Sequence, residues 1–263
     1  MRRTLCIAAA MLVTAAVTGA CGSNSEIKAD KASPAAAADK PGPAPELESE
    51  QLKRALLGAE DLPTGLRDDT IDIRKGLSYG NAEQPLEGVN FRPPECGAVG
   101  PASLGDLTAA RGWVRVWYPA PRGKPSSGPT EKFLQGVVTE AIVVVPGGPD
   151  FGRVKRLANA CRSGTVELKK YGLTGHISHK VDDTPAVTSA EAEDYDQVAV
   201  EKDAAFASTS AVAQGFETAF NANLVLLNKG DFVIMISTTS NAGVTARELA
   251  PKAFERVMRE TGP

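Results

Sequence analysis

Of the four cysteines in this 263-residue chain, only two are expected to lie in its folded part, and the other two say why. Cys6 sits in an uncharged apolar run from Leu5 to Val17, preceded by Arg2 and Arg3. A basic start and an apolar core too short to span a bilayer have the form of an export signal. Thr18, Gly19 and Ala20 then bring small side chains up to Cys21. The stretch resembles a lipobox, with Thr18 where Leu or Val is commoner. Small residues let the backbone enter a peptidase cleft, and the thiol carries the lipid. The expectation is a signal peptide over 1–20, a cut before Cys21, and anchoring to the extracytoplasmic face of the cell membrane through lipid on Cys21. The alternative is an ordinary secretory signal cut after Ala20, with Cys21 incidental. The Arg2-Arg3 pair fits twin-arginine export or plain signal charge, and the second needs less of the surrounding sequence.

With Cys6 removed and Cys21 lipidated, Cys96 and Cys161 remain. An even remainder outside the cytosol points to a disulfide. Closing the loop of about 65 residues between them stabilises a fold by roughly 3–5 kcal/mol in the chain-entropy account. Two buried free thiols are the other reading. No CxxC pair is present, so zinc-finger and thioredoxin-type chemistry have no support.

Residues 21–45 are rich in Ala, Pro, Lys and Asp, with one isolated Ile and no aromatic residue. Such a stretch buries too little apolar surface to offset the entropy of ordering. It reads as a disordered tether, holding a domain at roughly 25–30 Å from its anchor if it behaves as a flexible coil. Residues 46–263 hold no second Pro/Ser-rich break and read as one domain. Without Arg2 and Arg3, 27 basic side chains face 32 acidic ones, a net of −5. That balance gives no electrostatic case for a nucleic-acid partner.

Along the domain, Leu47, Leu52, Leu56 and Leu57 fall near one face of a helix over 46–57, ended by Gly58 and Asp61-Leu62-Pro63. Ile71 and Ile73 mark a short strand, and Pro93 to Gly97 a loop. Gly112 to Tyr118 reads as a strand, Arg122 to Pro129 as a loop, and Val137 to Val145 as a strongly apolar strand. Asp150 can cap a helix from Phe151 to Cys161, which places one disulfide end at a helix terminus and the other in a loop. Thr165–Lys169 and Ile177–Val181 are shorter strands. Ala205–Gln214, Ala219–Leu227 and Phe232–Thr238 follow, the last two joined through Asn228-Lys229-Gly230-Asp231 as a hairpin. A helix from Thr245 to Arg259, with Leu249, Ala253 and Val257 in a stripe, closes the chain. Strands in runs with helices between and after them predict an α+β fold, an antiparallel sheet covered by a few helices.

Leu56-Leu57, Asp61-Leu62-Pro63, Ala160-Cys161 at a helix end, the late apolar hairpin and the Ala-rich closing helix together resemble the extracellular sensor domain of the mycobacterial receptor kinase PknH and related actinobacterial lipoproteins. The likeness spans 47–259. It implies an α+β sensor or binding domain with a central cleft and no enzymatic activity. That family typically carries two disulfides, whereas Cys96 and Cys161 allow only one.

Catalysis leaves traces that this sequence lacks: no G-x-S-x-G elbow, P-loop, G-x-G-x-x-G or H-E-x-x-H. No cofactor or metal is expected. His176 and His179 lie three apart in a strand-like segment, so their side chains point to opposite faces, and both read as solvated. Glu191, Glu193, Asp194 and Asp196 lack the glycine and distant acid of a calcium loop and read as a charged loop. Alternation on the Gly112–Tyr118 strand puts Trp113, Arg115 and Trp117 on one face and Val114, Val116 and Tyr118 on the other. The valine face reads as core. The Trp113–Arg115–Trp117 face reads either as core or as a ligand-gripping face. The expected function is a non-catalytic ligand-binding or sensory domain with an unknown small ligand. The alternative is an assembly partner for another envelope protein. A concave site favours the first and a flat exposed apolar patch the second.

Overall fold

The computed structural model describes residues 49–73, 89–97, 99, 110–119, 136–168, 173–208 and 217–262. The leader, Cys21, the tether and the Arg122–Pro129 loop lie outside them. The architecture is one nine-stranded antiparallel sheet, with three helices among the described residues. The strands are β1 (Leu66–Ile73), β2 (Val89–Arg92), β3 (Arg111–Pro119), β4 (Val138–Val144), β5 (Gly164–Leu168), β6 (Leu173–Asp182), β7 (Asp196–Ser208), β8 (Glu217–Lys229) and β9 (Phe232–Thr239). Their order across the sheet is β1-β3-β4-β9-β8-β7-β6-β5-β2, which puts the late hairpin β8–β9 in the middle. The helices are α1 (Ser49–Ala55), α2 (Phe151–Ala160) and α3 (Ala246–Thr261).

The hairpin turn is as tight as the sequence suggests. Lys229 pairs with Phe232, leaving Gly230 and Asp231 to reverse the chain, and Gly230 takes a φ of 61° that a side chain would strain. Asp150 caps α2, its carboxylate accepting from the Arg153 N–H at 2.7 Å. Thr245 caps α3 in a reciprocal box: its hydroxyl accepts from the Glu248 N–H, and Glu248 Oε2 accepts from the Thr245 N–H at 2.7 Å.

Both faces of the sheet are covered, which alternation within a single strand could not reveal. On one face, α1, the Leu56 that follows it, and α3 lay Leu52, Leu56, Leu249, Ala253, Phe254 and Val257 over Trp113, Trp117, Ile142, Val225, Ile234 and Ile236. On the other, α2 sets Val154 and Ala158 against a layer that includes Val114, Val143, Val198, Leu226, Val233 and Met235. Successive residues of β9 therefore serve opposite cores, so the strand reads as a continuous apolar run rather than as an alternation. A third, smaller cluster forms where β2, β5 and β6 meet the disulfide.

Cys96 and Cys161 are bonded, with Cα atoms 4.9 Å apart. Cys161 is the C-cap of α2, and Cys96 lies in the short 3-10 turn Pro94–Gly97 after β2. The crosslink thus ties the turn after the edge strand β2 to the end of a helix.

Candidate functional site

The Trp113–Arg115–Trp117 face is the side of β3 that α1 and α3 cover. Trp113 and Trp117 are 5% and 3% exposed and belong to the core. Lys53 of α1 stands over the Trp113 ring with Nζ 4.6 Å from its centroid, and the Arg115 guanidinium lies 5.6 Å from the Trp117 centroid. The opposite face needs one correction: Val114 is core, but Tyr118, placed there with it, is 40% exposed. It is the penultimate residue of β3, where Tyr118 and Pro119 are both exposed.

Arg115 has a structural task on that face. Its Nη1 donates to the Leu57 carbonyl at 2.6 Å, while the Leu57 N–H donates to Glu140 Oε2 at 2.6 Å. Arg115 and Glu140 are register partners on β3 and β4, so the two strands clamp one residue just past the end of α1. Glu140 is fully buried, and its Oε1 makes no hydrogen bond. Burial pushes its carboxyl up to about 8, against the opposing pull of the Leu57 N–H and of Arg115. Above this clamp Arg256 of α3 bridges Glu60 and Asp61, at 2.7 and 2.5 Å. Asp61 in turn accepts from the Gly58 N–H at 2.8 Å. Together these contacts dock the first element of the domain onto its last helix and its sheet.

The reading of both histidines as solvated is corrected. His176 is exposed, but His179 is buried at 3% exposure. The two do lie on opposite faces of β6, of which only the His176 side is wet. His179 faces the disulfide: one ligand-capable atom from each of Cys96, Cys161 and His179 lies within 4.8 Å of the others. Burial, and then repulsion from Lys202, push its imidazole down to about 3, so the ring is neutral at pH 7. The acidic stretch Glu191–Asp196 is split by Ala192 and Tyr195, which turn inward. Tyr195 packs edge-on against Phe254 with centroids 4.9 Å apart, so the segment is a surface turn pinned by an aromatic anchor.

A concavity of about 350 Å³ opens at one end of the two central strands. Asn221 and Asn223 of β8, Thr238 and Thr239 of β9, the connection Ser240–Val244, and Thr245 and Glu248 of α3 line it. The connection is shaped by two left-handed residues, Asn241 at φ 65° and Gly243 at φ 74°. Its frame is hydrogen-bonded internally. Thr238 Oγ1 accepts from the Ala246 N–H at 3.0 Å, Thr239 Oγ1 from the Val137 N–H at 2.9 Å, and the Ser240 N–H donates to the Asn221 carbonyl at 2.7 Å. Asn223, half-buried opposite Thr238, takes no part in those framing bonds and presents its amide to the groove. The one ionisable lining group, Glu248, is held in the helix cap, and the hydrogen bonds from Thr245 keep its carboxyl below its ordinary range. The walls are therefore hydroxyls and amides around a fixed carboxylate. Sequence reasoning treated this segment only as the link from the last strand to the last helix. Its one signal was the density of hydrogen-bonding side chains from Thr238 to Thr245.

No family model matches the sequence, and no curated protein matches it. Among solved structures, the fold is similar to the extracellular domain of PknH from Mycobacterium tuberculosis, the domain whose family the sequence resembles. The TM-score is 0.43 at 12% identity, over 80% of this chain and 97% of that one. It is also similar to an uncharacterized protein of Mycobacterium smegmatis, the Rv0999 ortholog, at TM-score 0.42 and 12% identity, over 81% and 98% of the two chains. At those values the likeness is one of overall arrangement and says nothing about ligand or partner.

Proposed function

We propose that the chain is a lipid-anchored extracytoplasmic protein whose domain binds, without chemical conversion, a small neutral ligand rich in hydroxyl or amide groups, a saccharide being the obvious class. The observation that carries this reading is the composition of the groove at the ends of β8 and β9. Asn221, Asn223, Thr238, Thr239, Ser240 and Asn241 line it with hydroxyls and amides, Asn223 standing outside the framing bonds, and no His, Cys, Lys or Arg lines it. Its single carboxylate is already used in the α3 cap, so the lining has no poised base or nucleophile. A hydroxyl-rich ligand can replace the water that such a surface otherwise binds, bond for bond.

The disulfide, suited to an oxidising compartment, supports the extracytoplasmic setting. No helix among the described residues is long and apolar enough to cross a membrane, so an anchor at Cys21 would carry the attachment. The assembly-partner reading draws less support. Tyr118 is the one exposed large hydrophobic residue among the described positions, and a lone ring is not a docking patch.

Titration of the isotopically labelled protein with maltotriose, cellotriose and chitotriose, followed by amide chemical shifts, tests the site. At least one sugar is expected to shift resonances in 221–223 and 238–245 in a saturable way, with Asn223→Ala weakening binding by about 1 kcal/mol, the worth of one hydrogen bond. Absence of saturable shifts there with all three, or unaltered binding by Asn223→Ala, would contradict the reading.

A further inference from the structure

We propose that Cys96, Cys161 and His179 form a latent binding site for Cu(I), closed while the disulfide is intact and opened by a dithiol reductant. Three elements converge on it. Cys161 ends α2, Cys96 lies in the turn after β2, and His179 projects from β6. One potential ligand atom from each lies within 4.8 Å of the other two. The backbone holds all three in place: the His179 N–H donates to the Cys161 carbonyl at 2.8 Å, the Cys161 N–H to the Leu157 carbonyl at 3.1 Å, and the Cys96 N–H to the Pro93 carbonyl at 3.1 Å. Gly164 lets the sulfur sit against β5, since a Cβ there would come within 2.5 Å of Cys96 Sγ and 2.8 Å of the Arg92 carbonyl oxygen.

The second observation is the state of His179. The ring is almost wholly buried, and neither Nδ1 nor Nε2 makes a hydrogen bond. A buried imidazole with two unsatisfied nitrogens is a poor structural residue, and an apolar side chain would fill the space at lower cost. An imidazole with a ring nitrogen within 4.8 Å of both sulfurs is, however, placed to act as a ligand.

A dithiol delivers two electrons and two protons to the Cys96–Cys161 bond, giving two thiols, and is itself oxidised to a cyclic disulfide. Cu(I) then displaces both thiol protons to solvent and takes two thiolates and the His179 lone pair. Soft thiolates with one imidazole select a soft ion. A closed structural zinc site takes four protein ligands, and a catalytic one keeps a water in the fourth position. Here both cysteines are fully buried and, among the described residues, three metal-ligating side chains converge, which suits three-coordinate Cu(I). The complex carries a net negative charge, which the cation of Lys202, the register partner of His179, would offset.

The test is anaerobic titration of the full-length protein with Cu(I) in competition with bathocuproine disulfonate, before and after reduction by dithiothreitol, with circular dichroism recorded throughout. The reduced, folded protein is expected to take up one equivalent with an ultraviolet thiolate-to-copper charge-transfer band, and the oxidised protein none. His179→Gln, which leaves the disulfide in place, is expected to weaken Cu(I) binding about tenfold or more. Equal uptake by oxidised and reduced protein overturns the proposal. So does a His179→Gln variant that binds like wild type, which would mark capture by two thiolates of a loosened chain. Preference of the reduced site for Zn(II) under the same competition overturns the assignment to Cu(I).

Discussion

Trp117→Ala is expected to lower the free energy of unfolding by about 3–5 kcal/mol, the range for deleting a large aromatic from a packed core. The ring is 3% exposed beneath α1 and α3, in one cluster with Trp113, Ile142 and Ile236. Truncation opens a cavity between a sheet and helices held in place from several directions, so the site can collapse little. It also strips the Arg115 guanidinium of a ring it lies against while that side chain is engaged with Leu57. Urea unfolding of the variant beside wild type and Tyr118→Ala provides the check. Tyr118, 40% exposed, is expected to cost well under half as much. If the two losses are equal, or if Trp117→Ala unfolds like wild type, the ring is not core, and the ligand-gripping reading of that face returns.

Glu140→Gln is expected to stabilise the protein, by an amount that grows with pH. The folded-state carboxyl is raised to about 8 from an ordinary value of 4.5, chiefly by burial. A group raised in the folded state favours folding below its unfolded value. That contribution is progressively lost as pH rises from the unfolded value through the folded one. Glutamine keeps an oxygen to accept from the Leu57 N–H and has no charge to bury. At pH 4 the two proteins are expected to unfold alike. By pH 8 the variant is expected to be more stable by roughly 4 kcal/mol, the cost of ionising a carboxyl raised from 4.5 to about 8. Arg115, Arg256 and Asp61 are the other charges acting on the group, and the two arginines oppose the rise. Denaturant midpoints across that pH range decide which effect wins. A variant that loses ground to wild type as pH rises would mean that pairing with Arg115 outweighs desolvation.

These two residues also show where a linear reading stops. Trp117 and Trp113 were assigned to one face correctly, because strand alternation is local geometry. Whether that face is core depends on α1 and α3, which lie 56 or more residues away on either side of β3 in the chain's own order and cover both ends of the question only after folding. Glu140 stands inside the most apolar run of the domain, Val137 to Val145, and a carboxyl amid such neighbours was the available sign of a buried polar partner. His179 failed for a different reason: alternation on β6 is right, with His176 exposed on one side, but it does not say which side the disulfide cluster covers. The late hairpin, the capped α2 and α3 and the Cys96–Cys161 pair were legible because each rests on short-range signals: a glycine turn, an Asp or Thr cap, a count of cysteines. The groove was not, because its walls come from two strand ends and a connection that only the sheet brings together.

The proposed membrane attachment rests on Cys21. The direct measurement is intact-mass analysis and detergent-phase partitioning of the protein expressed in an actinobacterial host, beside Cys21→Ser. The mature chain is predicted to begin at Cys21, to carry the added mass of a diacylglycerol, and to enter the detergent phase, while Cys21→Ser remains an uncut precursor or enters the aqueous phase. A wild-type chain that begins elsewhere, or an unmodified Cys21 in a protein that stays in the aqueous phase, would contradict it.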